Sequence, residues 1–135
     1  MIFDVKFPIY GFEDVSKVSI EKLEDGFAKL KSEDGKKFVF TMLNPYVICK
    51  NYEFDLPISY KALLDVTMSS NIEIYNILML NSKIEETTIN MLAPVILNYD
   101  NKTMAQIILD PSQYPFYNPT EKIITFLKQL ENNAE

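Results

Sequence analysis

Two Asp-Gly steps, in Glu24-Asp25-Gly26 and Glu33-Asp34-Gly35, constrain this chain more than any other feature. Asp-Gly supplies the positive φ that tight turns between antiparallel strands require, so the two steps predict consecutive hairpins. The flanking pieces agree: residues 15–23, 27–31 and 37–43 read as strands. In the last of these Phe38, Phe40 and Met42 share one face while Val39, Thr41 and Leu43 share the other. Both faces are apolar, which predicts a strand buried on both sides.

Further strands follow. Ile72, Ile74, Asn76, Leu78 and Leu80 alternate with Glu73, Tyr75, Ile77 and Met79; residues 88–99 are rich in aliphatic side chains; and 105–109 follow a polar turn at Asp100-Asn101-Lys102. Short strands with turn signals between them point to a barrel or a sandwich. Two helical pieces interrupt the pattern. Residues 59–66, with Ala62, Leu63 and Leu64, predict a short helix. Near the end, Asn118 reads as an N-cap, Pro119 as the first helical residue and Glu121 as the third position of a capping box. Ile123, Ile124, Leu127 and Leu130 then form one stripe, and the tail 131–135 is expected to fray. The predicted fold is mainly β: a small antiparallel β-barrel or sandwich with one short internal helix and a C-terminal amphipathic helix. Residues 1–118 form the β domain, and 119–135 its helix and tail. A chain of 135 residues, 47% apolar and 24% charged, can bury a core without disulfides.

The chemistry the chain lacks is informative. It contains no histidine, which excludes Ser-His-Asp and Cys-His nucleophiles, a histidine general base and histidine-ligated zinc. No Gly-rich loop precedes a helix, so no phosphate cradle is expected. Cys49 is the single cysteine; in the apolar stretch Tyr46-Val47-Ile48-Cys49 it reads as a structural thiol rather than a reactive one. Glu85-Glu86 reads as a solvated turn, since adjacent strand residues point to opposite faces; Asp55 and Asp110 read as turn residues. Neither a catalytic centre, a cofactor nor a metal is expected. The start of the chain does not resemble a signal peptide and no apolar run is long enough to span a membrane, so the expected compartment is the cytoplasm. A formal net charge of −6 and a pI near 4.7 oppose phosphate backbones and favour a basic protein partner.

Aromatic residues gather around prolines, in Asn44-Pro45-Tyr46, Phe54-Asp55-Leu56-Pro57 and Tyr114-Pro115-Phe116-Tyr117. Aromatic anchors dominate protein interfaces, so Asn44, Pro45, Tyr46, Tyr52, Phe54 and Tyr114 are the predicted protein-binding residues. The same rings can instead close the ends of a β core.

One string is distinctive: Thr88-Ile89-Asn90-Met91-Leu92-Ala93-Pro94-Val95-Ile96-Leu97-Asn98, followed by Gln106-Ile107-Ile108-Leu109. With Pro8-Ile9-Tyr10-Gly11-Phe12, Asn44-Pro45-Tyr46 and Tyr52-Glu53-Phe54-Asp55-Leu56 in order before it, and Tyr114 after it, the chain closely resembles the FliW family of flagellar assembly factors up to about Pro119. Thr88, Asn90, Ala93, Pro94, Asn98 and Gln106 read as fold-defining. Asn90 and Asn98 are expected to satisfy strand-end backbone groups, Pro94 to sit at an edge or bulge, and Gln106 to tie neighbouring strands. The resemblance implies a partner switch. FliW proteins bind flagellin in the cytoplasm and bind and antagonise CsrA, an RNA-binding translational repressor, so that flagellin export releases FliW to sequester CsrA. No direct contact with nucleic acid or membrane is implied, and a monomer is the simplest free state. An RNA-binding regulatory module and a small-ligand-binding β-barrel are the alternatives.

Overall fold

Between β2 (Lys17–Lys22) and β3 (Phe27–Ser32) the chain reverses at Asp25 and Gly26, both at positive φ (60° and 85°). A Cβ on Gly26 would lie 2.6 Å from a Val47 methyl, so glycine is required for space as well as for φ. The second turn, at Gly35, leads into β4 (Val39–Leu43). The computed structural model describes residues 1–127. Its other elements are β1 (Ile2–Phe7), helix α1 (Ile58–Leu63), β5 (Ile72–Met79), β6 (Thr88–Ile89), β7 (Val95–Asn98), β8 (Thr103–Gln106) and β9 (Glu121–Lys122).

The strands run in the order β4-β3-β2-β1-β8-β7-β5, and pairing of Met42 with Ile77 and Leu43 with Asn76 brings β5 back to β4. The result is a 7-stranded barrel. An odd number of strands cannot alternate direction all the way round a closed barrel. One seam must be parallel, and it is β1–β8; every other seam is antiparallel. β5 also pairs with β6 through Leu78 and Met79, and β6 carries β9.

Period-two alternation divides the core into an interior and two outer layers. Phe3, Val18, Ile20, Leu30, Met42, Val95, Leu97 and Met104 fill the barrel. Leu43, Ile48, Tyr52, Leu78, Ile89, Met91 and Ile123 pack together on one flank; Leu64, Leu92, Ile96, Ala105, Ile107 and Leu109 pack on another. Thus Val95 and Leu97 of β7 face in while Ile96 faces out into a covered layer. β4 follows the same rule: Phe40 and Met42, with Phe38 just before the strand, join the interior cluster and Leu43 an outer one, but Val39 is exposed.

Several elements differ from expectation. Ile2–Phe7 forms a strand that the sequence reading did not assign. The run 88–99 is two strands, because residues 90–94 turn: Asn90 Oδ1 accepts the Leu92 N–H at 3.1 Å. Pro94, without an N–H, stands just before β7, and its carbonyl accepts the Ile107 N–H at 3.0 Å. β8 begins at Thr103 and ends at Gln106, ahead of the predicted 105–109. The largest correction concerns Asn118. Its Oδ1 accepts the Thr120 N–H at 2.9 Å, which makes an Asx turn rather than a helix cap. Glu121 is a strand residue paired with Ile89, not the third residue of a helix. Helical structure starts at 123, where Ile123 is buried, Phe126 packs against the same flank and Leu127 is exposed. Leu130 and the tail 131–135 lie outside the described residues.

Candidate protein-binding surfaces

The two mouths of the barrel differ in chemistry. At the mouth where β2 and β7 end and β5 begins, Glu73 accepts hydrogen bonds from the Tyr75 hydroxyl at 2.9 Å, the Tyr99 hydroxyl at 3.2 Å and the Lys22 ammonium. Lys22 also lies 4.7 Å from the Tyr99 ring centre. Burial alone would raise the Glu73 pKa, but these bonds outweigh it and hold the carboxyl below its ordinary range. This mouth is plugged by polar groups that satisfy one another.

The opposite mouth, where β1, β5 and β8 end and β4 and β7 begin, holds a groove of about 480 Å3. Its floor and walls are apolar: Ile9, Phe12, Phe40, Ile77, Leu78, Ala93. Tyr10 (80% exposed), Met79 (73%) and Ile108 (60%) stand along it. Only a few polar side chains enter, chiefly Thr88, Asn90, Gln106 and Thr120. The Lys36 ammonium sits 5.1 Å from the Phe12 ring, and Glu13 accepts the Gly11 N–H at 3.0 Å, a bond that lowers its pKa. Ligand grooves in general share this make-up, apolar walls with a few placed polar groups, and the lining residues include no nucleophile–base pair.

The predicted aromatic residues come together elsewhere, on the flank outside β5. Asn44 caps the 3-10 turn Pro45–Val47 by accepting the Tyr46 N–H, and Pro45 is buried beneath it. Tyr46 is 42% exposed; its ring centre is 6.2 Å from that of Tyr52. Tyr52 itself is only 2% exposed. Its hydroxyl donates to the Met91 carbonyl at 2.7 Å and accepts from Asn76 Nδ2 at 3.2 Å, and burial pushes its pKa up. Tyr52 therefore has no free surface to offer a partner; it is a core residue. Phe54 is half-buried between the two outer layers. Tyr114 is half-buried and stacks on Tyr117, and their hydroxyls hold an extended strap. Tyr114 accepts the Asp55 N–H at 2.9 Å; Tyr117 accepts the Glu53 N–H at 2.9 Å and donates to the Glu53 carbonyl at 2.8 Å. Cys49 is half-buried against this layer. Of the six predicted contact residues, Asn44, Pro45, Tyr46 and Tyr52 lie together, Phe54 bridges the two outer layers, Tyr114 packs on the second layer, and Tyr46 is the exposed one.

A family model described as FliW protein matches residues 1–120. The chain belongs to the FliW family. It is 45% identical over 131 residues to a flagellar assembly factor FliW from Campylobacter lari, a match covering 97% of this chain and 100% of the relative. A second relative, flagellar assembly factor FliW 2 from Wolinella succinogenes, is 42% identical over 126 residues, covering 93% and 92%. A crystal structure of the flagellar assembly factor FliW superposes with a TM-score of 0.80 at 24% identity, covering 90% of this chain and 84% of that one, so the FliW fold is shared. The family is one of flagellar assembly factors.

The FliW-like string does two jobs in the structure. Asn98, fully buried, donates to the Leu64 carbonyl at 2.8 Å and accepts the Asp100 N–H at 3.0 Å; Pro94 ends the turn before β7. Thr88, Asn90, Ala93 and Gln106, however, also line the groove. Gln106 does not tie strands together. Its Oε1 accepts the Tyr10 N–H at 2.8 Å, which ties a loop to the barrel. Tyr10, Met79 and Ile108 went unassigned as contact residues. The available signal was the Pro8-Ile9-Tyr10-Gly11-Phe12 string, where an aromatic beside a glycine marks a displayed turn. Among the described residues no helix is long and apolar enough to cross a membrane.

Proposed function

We propose that this chain is a cytoplasmic flagellar assembly factor without catalytic activity, binding flagellin through the mouth groove and binding and antagonising a CsrA-type translational repressor. Occupancy by one partner would set availability to the other and couple flagellin synthesis to export. The observation that carries the reading is the apolar groove, lined by Thr88, Asn90, Ala93, Gln106 and Ile108 of the FliW-like string. A subunit destined to polymerise outside the cell holds apolar assembly surfaces that are unpaired before export, and an apolar groove is their complement. The net charge of −6 supports encounter with a basic RNA-binding protein and disfavours RNA itself.

The test is a titration of purified flagellin against Met79→Glu and Ile108→Glu, both at exposed positions so that folding should survive. Each is expected to weaken flagellin binding at least ten-fold. Unchanged affinity in both would remove the groove from the reading, and failure of the unmodified chain to bind either flagellin or a CsrA-type protein would remove the function. Tight binding of flagellin leader RNA by this chain alone in a gel shift would favour an RNA-binding module instead.

A further inference from the structure

Resting on the groove reading above, we propose that Gln106 is the polar group that positions the occupant of the mouth groove: its carboxamide oxygen fixes Tyr10, and its amide nitrogen is thereby left to donate to a backbone carbonyl of the bound protein segment.

The geometry follows from the end of β1. β8 runs parallel to β1 with Phe7 opposite Ala105, so Gln106 falls beside the first residue after the strand. That residue is Pro8, which has no N–H, and the ladder stops there. The turn beyond it is closed by the Phe12 N–H bonding to the Ile9 carbonyl at 2.8 Å, with Gly11 at φ +90° in the position where such a turn needs glycine. Its two feet are fixed in the core: Ile9 is buried, and Phe12 packs 4.7 Å from the Phe38 ring centre. The Tyr10 N–H at the corner has no backbone acceptor among the described residues, and Gln106 Oε1 accepts it instead.

That bond settles the orientation of the amide. A backbone N–H can only donate, so the atom facing it must be the oxygen and Nε2 must point the other way. Gln106 is 6% exposed and lines the groove, and its Nε2 makes no hydrogen bond among the described residues. A donor held in an apolar groove favours an occupant that brings an acceptor, and disfavours one that leaves it unmet. A main-chain carbonyl is the acceptor that every protein segment carries.

Two variants separate the two ends of the amide. Gln106→Glu keeps an acceptor for the Tyr10 N–H but, ionised, loses the donor; Gln106→Met loses both. At pH 8, Gln106→Glu is expected to bind flagellin about 10- to 100-fold more weakly, while the Tyr10 amide keeps its slow hydrogen exchange. Its affinity should recover, relative to the unmodified chain, as pH falls and the carboxyl regains an O–H. Gln106→Met should lose both the binding and the Tyr10 protection. If Gln106→Glu binds normally while Met79→Glu does not, the donor role is wrong and the groove stands. If Met79→Glu and Ile108→Glu also bind normally, the groove is wrong and this proposal fails with it. A pH profile for Gln106→Glu parallel to that of the unmodified chain would also overturn it.

Discussion

Replacing Tyr52 by Phe isolates one hydroxyl in the flank that joins β5 to its outer layer. The ring stays, so no cavity opens and the Tyr46, Phe54 and Tyr117 contacts are kept. Two bonds are lost, the donation to the Met91 carbonyl (2.7 Å) and the acceptance from Asn76 Nδ2 (3.2 Å). Asn76 Nδ2 retains its bond to the Asn90 carbonyl at 2.8 Å, so the cost falls mainly on the Met91 carbonyl. Asn76 is fully buried and its Oδ1 already has no partner among the described residues, so the site has no slack for a second unmet group. Leaving a buried acceptor short of its donor costs about 1–3 kcal/mol. For a chain of 135 residues each kcal/mol shifts Tm by about 3–4 °C. Tyr52→Phe should therefore melt about 3–12 °C lower in a calorimetric scan at pH 7. A shift under about 1 °C, or lost partner binding with stability intact, would refute the assignment of Tyr52 to the core.

Tyr46→Ala is the contrasting change: the ring is 42% exposed, so stability should stay within about 1 kcal/mol, and a loss of partner affinity in a titration would make the flank a second contact surface. On the alkaline side, burial and then the Glu73 carboxylate push the Tyr75 phenol up to about 12, and burial raises Tyr52 and Tyr99 as well. A raised folded-state pKa favours the folded state while the phenol is protonated. Stability should therefore be complete below about pH 10 and decline as pH rises from there through about 12, measured as urea midpoints alongside phenolate absorbance. Glu73 works in the opposite sense. Its pKa is depressed, so its contribution is present above the ordinary glutamate range and lost as pH falls below it; Glu73→Gln should cost about 1–2 kcal/mol at pH 7 and flatten the acid limb of the stability profile.

Local chemistry made the hairpins legible, because positive φ at Asp25 and Gly26 is a demand that few residues meet. Alternation in β4 was legible for the same kind of reason, but the apolar outer positions overstated the burial: the outer face is covered at Leu43 and open at Val39, which is 62% exposed. Elsewhere the same local signal served two structures. An Asn side chain on an N–H two residues ahead begins a helix or closes a turn with equal ease. At Asn118 the choice fell to a distant fact, the open edge of β6, which takes Glu121 and Lys122 as β9. The run 88–99 hid its turn because residues 90–94 are nearly as apolar as the strands around them, and the turn is buried between layers rather than exposed.

The candidate sites divide along that line. Proline-flanked aromatics did converge, but composition cannot say which ring lies beneath the others, and Tyr52 is the one beneath. Gln106 was legible as a buried amide because an apolar run seldom carries one without a bond to make. Its partner was not, since the missing acceptor belongs to Tyr10, 96 positions away, and arises only because Pro8 ends the β1–β8 ladder. A residue that builds the fold and a residue that shapes the groove are here the same residue. In a closed 7-stranded barrel the parallel seam must fall somewhere, and here it brings the end of β8 beside the end of β1. The groove wall at Tyr10 is thus held by the seam that the strand count makes necessary.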